Sequence, residues 1–194
     1  MNRRTALATV GGALALPLAG CVVGGEPVAG TAALDGPERE VDEAETHLLF
    51  SRDGDRAATI SFLPRGYDPE AGEGRFRLSI AHAQGLRADR LRYRIRTSTG
   101  ASGTPADVFL QRPSGDSWPP ITFRQAEAPS RTLVEVPDLG RQGAGTVTLS
   151  FVVDTAADVS ELDVVVDALA TFTGFGVGRF RAQGSIEHRF EGAL

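Results

Sequence analysis

The chain contains no lysine and only one cysteine. All 20 basic residues are arginine, and because 25 residues are acidic the formal net charge is −5. Phosphate contacts along DNA or RNA need a basic surface, so this balance excludes nucleic acid as an expected partner. A lone cysteine cannot form an internal disulfide bond, the usual use of cysteine in exported domains, so a different role has to be sought for Cys21.

The chain also lacks an apolar run of the length that a membrane-spanning helix needs, about 20 residues. The apolar run over residues 5–20 has 16 residues. It follows two basic residues, Arg3 and Arg4, and ends in small residues before Cys21. A basic start, a short apolar core and small residues at a cleavage point predict an export signal.

Two local motifs refine this signal. Arg3 and Arg4 stand together, as they do in signals for the twin-arginine route, which exports folded proteins. The four residues that end at Cys21 read Leu-Ala-Gly-Cys. They resemble a lipobox, in which the cysteine becomes the lipidated first residue of the mature protein.

The first 45 residues as a whole resemble the start of secreted twin-arginine lipoproteins of halophilic archaea. The resemblance rests on the paired arginines, the lipobox-like end and a lysine-free composition that is rich in alanine and glycine; a high-GC actinobacterial lipoprotein is the alternative source. It implies a signal peptide over residues 1–20, lipid attachment at Cys21 and a position on the extracellular side of the cell membrane. The remaining chain resembles the uncharacterised all-β domains that follow such signals, which implies no activity.

Residues 21–45 are rich in glycine, proline and acidic residues and contain few large apolar side chains. Such a segment buries too little apolar surface to order itself, so we predict a lipidated, disordered tether. A flexible chain of about 24 residues spans about 25–30 Å on average, enough to hold a domain clear of a membrane surface. A short helix that starts within residues 42–45 is the alternative for the end of this segment.

From residue 46 onward, apolar and polar residues alternate, which is typical of strands that are buried on one face. Clear examples are Phe76, Leu78 and Ile80 in one segment and Leu149 and Phe151 in another. About nine or ten such segments, separated by turn residues, and no long 3.6-residue pattern indicate an all-β domain. We predict a single antiparallel β-sandwich over residues 46–194, with a closed β-barrel as the alternative.

Glycine-containing segments predict three turns between strands. Asp53-Gly54 is a dipeptide typical of β-hairpins. Residues 174–178 contain three glycines, but they lack the spacing and the following helix of a phosphate-binding loop, so they predict a bend. A further turn at Gly85 would join its two flanking strands if they pair as a hairpin.

Four arginines occupy alternate positions of one predicted strand and therefore share one face: Arg90, Arg92, Arg94 and Arg96. Same-face neighbours in a strand are about 7 Å apart, so each pair repels by about 0.6 kcal/mol in water before screening. A hairpin through Gly85 would extend this basic face with Arg75 and Arg77. One interpretation is a binding face for polyanionic glycans, phosphate or lipid head groups. The other is a solvated face that pairs with carboxylates across strands. The candidate carboxylates are Asp163, Asp167 and Glu187.

The single tryptophan, Trp118, lies in a loop beside two prolines. An exposed tryptophan on a stiff loop is a plausible anchor for a sugar or a protein partner. The alternative is a side chain that folds back and fills the end of the sandwich.

No pattern in the sequence indicates catalysis or cofactor binding. The nucleophile elbow Gly-x-Ser-x-Gly is missing, and His47, His82 and His188 have no second histidine or cysteine at ligand spacing. We therefore predict no catalytic residues, no metal site and no cofactor.

These features together predict a membrane-anchored surface lipoprotein whose sandwich is a non-catalytic binding or structural module of the cell envelope. Its expected partners are the membrane, through lipid at Cys21, and an envelope glycan or protein contacted by Trp118 or by the four arginines. An accessory subunit of an envelope complex is the second hypothesis. A carbohydrate-active hydrolase with two dispersed carboxylates is the third.

Overall fold

The computed structural model describes residues 30–100, 103–111, 118, 120–125, 131–174, 176 and 178–192. Arg3, Arg4 and Cys21, on which the predicted export signal and lipid attachment depend, lie outside the described residues. Within the described part of the chain, no helix has the length and apolar character needed to cross a bilayer.

In the described part of the chain, twelve strands form two six-stranded sheets. Sheet A contains, in spatial order, β1 (Thr31–Ala33), β12 (Gly178–Glu191), β11 (Glu161–Gly174), β6 (Leu86–Thr99), β9 (Arg131–Val136) and β8 (Thr122–Gln125). Sheet B contains β2 (Asp35–Asp42), β3 (Glu45–Arg52), β4 (Asp55–Asp68), β5 (Glu73–His82), β10 (Val147–Asp154) and β7 (Asp107–Leu110). All neighbouring strands are antiparallel except β1 and β12, which are parallel.

The predicted antiparallel β-sandwich is confirmed, and the alternative of a closed barrel is wrong, because each sheet ends in edge strands. The alternating residues bury one face of each sheet against the other. In β10, for example, Val147, Leu149, Phe151 and Val153 are all at most 2% exposed. Strands with this pattern leave the intervening residues on the outer faces, where charged side chains keep their hydration.

The predicted disordered tether over residues 21–45 is wrong for its second half, which forms β1 and β2. β1 pairs with β12, and β2 pairs with β3. Between them Leu34 is buried, and its N–H donates a hydrogen bond of 2.9 Å to the carbonyl of Arg181. Every residue of β2 is exposed, so backbone pairing at a sheet edge holds it in place and no apolar alternation marks it. The sandwich therefore includes β1 and β2, which precede the boundary predicted at residue 46.

Two of the predicted turns are confirmed. Arg52 pairs with Asp55, so Asp53 and Gly54 form a two-residue hairpin turn, with φ values of 54° and 90°. Gly174 pairs with Gly178, so the glycine-rich segment joins β11 and β12 as a hairpin. The alternative of a short helix that starts within residues 42–45 is wrong, because the chain turns at 43–44 between β2 and β3.

The hairpin through Gly85, on which a wider basic face depends, does not form. β5 lies in sheet B and β6 in sheet A, so the chain crosses from one sheet to the other at this point. Arg75 and Arg77 are consequently exposed on the outer face of sheet B and do not extend the row of arginines on β6. A strand buried on one face has the same alternation in either sheet, which is why the pattern alone did not separate these arrangements.

Aromatic rings fill the centre of the sandwich. Phe76 stacks between Phe62 and Phe151, with ring centroids 5.0 and 5.1 Å apart, and Tyr93 approaches Phe151 edge-on at 6.5 Å. The side chain of Tyr93 is fully buried, and its hydroxyl has no hydrogen-bond partner among the described residues. Burial raises the pKa of Tyr93 well above its ordinary value, because the low-dielectric core disfavours the phenolate.

We predict that Tyr93→Phe leaves the free energy of unfolding at neutral pH unchanged or raises it, because it removes a buried hydroxyl that has no partner. In the unfolded chain a tyrosine ionises above pH about 10, while the folded chain keeps Tyr93 neutral. The free energy of unfolding should therefore fall as the pH rises above about 10. The part of this fall that is due to Tyr93 should be absent from Tyr93→Phe. Urea denaturation near neutral and at alkaline pH measures both effects.

Tyr67→Phe is the matched control, since the chain has only two tyrosines. The Tyr67 hydroxyl donates a 2.6 Å hydrogen bond to the carbonyl of Val159. Its removal should cost about 1 kcal/mol. A comparable loss in both variants would show that the Tyr93 hydroxyl has a partner after all.

Candidate binding face

The four arginines of β6 lie on the outer face of sheet A, the face turned away from sheet B. Three apolar residues alternate with them and are fully buried between the sheets: Leu91, Tyr93 and Ile95. Arg90 is exposed, and Arg92, Arg94 and Arg96 are half-buried. The strand pattern thus places all four side chains at the protein surface.

Two of the predicted carboxylate partners are engaged by arginines on this face. Arg96 Nη2 lies 3.4 Å from Oδ2 of Asp167 on β11, whose side chain is only 14% exposed. Arg189 on β12 donates from Nε and Nη2 to the two oxygens of Asp163, at 2.7 and 3.1 Å. The hydrogen bond to Asp163 raises the pKa of Arg189 above its ordinary value. This half of the face is therefore charge-balanced.

The remaining three arginines of the row form no ion pair with a described residue. We call Arg90, Arg92 and Arg94 the arginine strip. On β11 they face Thr171, Leu169 and Asp167 in that order, and Asp167 is the carboxylate that lies at ion-pair distance from Arg96. On the other side Glu135 of β9 pairs in register with Arg92, but their charged groups do not come to ion-pair distance.

The strip therefore presents three unpaired positive charges in a row. With about 7 Å between neighbours along a strand, each adjacent pair repels by about 0.6 kcal/mol in water before screening. An anionic ligand with several charges relieves this repulsion, whereas a neutral ligand does not. The arrangement favours a polyanion over a neutral sugar.

Sheet A adds arginines to this face that sequence reasoning did not select. Arg179 and Arg181 on β12 alternate with the buried residues Phe180 and Ala182, so the pattern placed them on an outer face. The pattern did not show that β12 lies beside β11, and β11 beside β6. Only this strand order brings the basic residues of two distant segments to the same surface.

Trp118 packs against the core as one of four half-buried hydrophobic residues at its margin. The others are Tyr67, Leu110 and Ile121. The position of Trp118 therefore agrees with the interpretation of a side chain that folds back onto the sandwich, and not with that of an exposed binding anchor. Most of the surrounding loop, residues 112–117 and 119, lies outside the described residues.

The three histidines are separate from one another. His47 Nδ1 is 2.8 Å from the Ser61 hydroxyl, and the two ring nitrogens of His82 lie 3.0 and 3.1 Å from backbone carbonyls. His188 packs against Phe62 and Phe190, and burial lowers its pKa. Across the described ranges, no three His, Cys, Asp or Glu side chains are grouped so as to hold a metal ion.

Two open six-stranded sheets packed face to face, with charged outer faces, define this protein as an all-β sandwich domain. Residues 31–192 match the family described as "Domain of unknown function (DUF8121)", and the chain belongs to that family. The match starts with β1 and ends just after β12, so the family's domain coincides with the whole sandwich. A comparison with curated proteins finds no relative.

Several solved structures share a weak likeness with the fold. A collagen-binding domain from a Staphylococcus aureus adhesin is 10% identical, with a TM-score of 0.42 over 67% of this chain and 95% of that one. A structure of the Fap1 fimbriae of Streptococcus parasanguinis is 11% identical, with a TM-score of 0.35 over 74% of this chain and 82% of that one. The N-terminal periplasmic domain of ScsB from Proteus mirabilis is 13% identical, with a TM-score of 0.33 over 77% of this chain and 52% of that one. The sandwich assignment rests on the strand pairing of this chain itself.

We predict that Arg94→Gln changes the free energy of unfolding by less than about 0.5 kcal/mol, because its charge has no partner. Arg96→Gln should cost about 1 kcal/mol, since it leaves the largely buried carboxylate of Asp167 without its cation. Chemical denaturation of the two variants beside the unsubstituted chain measures the difference. Equal losses would contradict the division of the row into paired and unpaired arginines.

Proposed function

We propose that this protein is an exported surface lipoprotein whose β-sandwich is a non-catalytic binding module, and that the arginine strip holds an anionic polymer of the cell envelope. The observation that carries the binding role is the row of three arginines without carboxylate partners on a face where Arg96 and Arg189 do pair with carboxylates. Arginine is suited to this role, because its planar guanidinium donates two parallel hydrogen bonds to a carboxylate, sulfate or phosphate group.

The strand geometry supports a polymer as the ligand. The three residues of the strip lie on one face of a strand and repeat about every 7 Å along it, so a chain with regularly spaced anionic groups can contact several arginines at once. Each contact is weak because it is exposed to water and salt. Several contacts on one polymer add up through multivalency. Binding is therefore expected to depend strongly on polymer length and on ionic strength.

The export and lipid signals support the location. We propose that the paired arginines direct export and that Cys21 carries the lipid, with two acyl chains for stable anchoring. Residues 22–30 separate Cys21 from β1. Nine extended residues reach at most about 30 Å. The edge of the sandwich formed by β1 and β2 would then be the part nearest the membrane.

A second candidate function is an accessory subunit of an envelope complex. Two large apolar side chains, Phe109 on β7 and Phe123 on β8, are 51% and 38% exposed. β1 and β2 are joined by a single residue, Leu34, so they share one edge of the sandwich, and β7 and β8 form the opposite edge. Exposed aromatic residues on edge strands favour a protein partner.

The binding role predicts that Arg92→Gln/Arg94→Gln elutes from a sulfated polysaccharide matrix at a clearly lower salt concentration than the unsubstituted chain. The physical reason is that two of the three charges that contact the polymer are lost, and the remaining attraction is screened more easily. The measurement is the salt concentration at half elution in a linear gradient.

The matched control is Arg75→Gln/Arg77→Gln, which makes the same change in net charge on the outer face of sheet B. It should elute close to the unsubstituted chain. If the two double variants shift equally, net charge and not the arginine strip governs retention, and the binding proposal fails.

The anchoring role predicts that Cys21→Ser transfers the protein from the membrane fraction to the medium or stops its maturation, because serine cannot carry the thioether-linked lipid. Fractionation of producing cells after a high-salt wash measures the distribution. Retention of Cys21→Ser in the washed membrane would refute lipid anchoring at this residue.

A further inference from the structure

The pairing of β6 with β11 is interrupted at one point. Thr171 pairs with Arg90, but the next residue, Phe172, pairs with Ala88, so Asp89 is an extra residue on β6. Such a β-bulge turns neighbouring side chains away from the regular strand direction, and bulges are frequent beside binding sites. The bulge lies at the end of the arginine strip.

A depression of about 180 Å³ opens at this bulge. Its polar lining comes from four strands of sheet A: Thr31 of β1, Asp89 and Arg90 of β6, Thr171 of β11 and Arg179 of β12. The volume suits a group of a few heavy atoms, since one water molecule takes up about 30 Å³ in the liquid.

The donors that line the depression are not used by the protein. Neither Arg90 nor Arg179 forms an ion pair with a described residue, and the hydroxyls of Thr31 and Thr171 make no hydrogen bond to one. Asp89, the one acidic group among the described lining residues, accepts a 3.2 Å hydrogen bond from the Thr173 hydroxyl. Two guanidinium groups and two hydroxyls thus remain available to a ligand.

In two larger depressions of about 420 Å³ each, at least one arginine already has a carboxylate partner. One contains Arg52, whose Nε lies 3.3 Å from Oδ2 of Asp53. The other contains Arg75, which is hydrogen-bonded to Glu73. In both, a carboxylate of the protein already occupies an arginine that lines the depression.

We propose that the depression at the bulge binds one tetrahedral oxyanion group, a phosphate or a sulfate, between Arg90 and Arg179. The donors approach from different strands and hence from different directions, which matches an anion with oxygens on all sides better than a planar carboxylate. With two arginines and one aspartate, the site carries a net positive charge. This site shares Arg90 with the arginine strip but does not include Arg92 or Arg94, and it does not require the proposed polymer-binding role.

A substitution of Asp89 should change oxyanion binding in the opposite direction to a substitution of either arginine. Its carboxylate lies beside the bound anion and opposes it, so it weakens binding. Asp89→Asn removes this negative charge and keeps an oxygen that accepts from Thr173. The site therefore predicts that Asp89→Asn binds the oxyanion several-fold more tightly, whereas loss of either arginine weakens binding.

The test is calorimetric titration of the full chain with inorganic phosphate at constant ionic strength, with sodium chloride as the balancing salt. Arg90→Gln and Arg179→Gln should each weaken phosphate binding about tenfold, the loss expected for one charge-assisted hydrogen bond. Arg179→Lys, which keeps the charge and loses the planar fork, should bind phosphate more weakly than the unsubstituted chain and more tightly than Arg179→Gln. The matched control, Arg189→Gln, removes an arginine that Asp163 already occupies and should leave phosphate binding unchanged.

Three outcomes would overturn the proposal: no phosphate binding above that of chloride, equal binding by Arg179→Gln and the unsubstituted chain, or acetate binding as tight as phosphate. A parallel titration with inorganic sulfate shows whether the site prefers phosphate or sulfate. A titration with glucose 6-phosphate shows whether the ligand can be a phosphate group attached to a larger molecule, because a site for a free ion would not accept this phosphate ester. Arg92→Gln/Arg94→Gln should keep phosphate binding while it loses polymer retention. Failure of the polymer role is thus distinguishable from failure of this site.

Discussion

The structure depends on one constraint, the burial of a single face of each sheet against the other. Phe62, Phe76 and Phe151 stack at the centre, and the aliphatic residues around them remove nearly all of their surface from water. Apolar burial contributes about 25 cal/mol per Å². Because strand side chains alternate, this requirement also decides which residues face outward. The exposure of the arginines on β6 is therefore a consequence of how the core is packed.

The pairing of charges on the outer face depends on strand register. Asp167 meets Arg96 and Asp163 meets Arg189 because β11 lies between β6 and β12 with this particular alignment. The same alignment places Thr171 and Leu169, which carry no charge, opposite Arg90 and Arg92. The bulge at Asp89 separates the regular part of the row from the depression that contains Arg179. The alignment of the strands thus separates the paired arginines from the arginine strip, and the bulge adds the depression at the end of the strip.

The N-terminal segment shows why local composition misleads at the edge of a sandwich. β2 has no buried residue, and its order comes from backbone hydrogen bonds to β3 and from Leu34, which is buried between β1 and β2. A strand of this kind is rich in charged residues for the same reason as a disordered segment, since both face water on all sides. For β2, the acidic composition therefore correctly predicts that the residues are exposed, but it wrongly predicts that they are disordered.

Sequence alone determined the all-β class, the sandwich, most of the strands and the buried residues, because period-two alternation is a local property that the core requires. It also determined that Arg90, Arg92, Arg94 and Arg96 share a face. Only the tertiary structure decided that β5 and β6 belong to different sheets, that Trp118 packs at the core margin and that Arg179 joins Arg90 across β11. These facts depend on strand order and register, which arise from contacts between segments far apart in the chain and leave no local pattern.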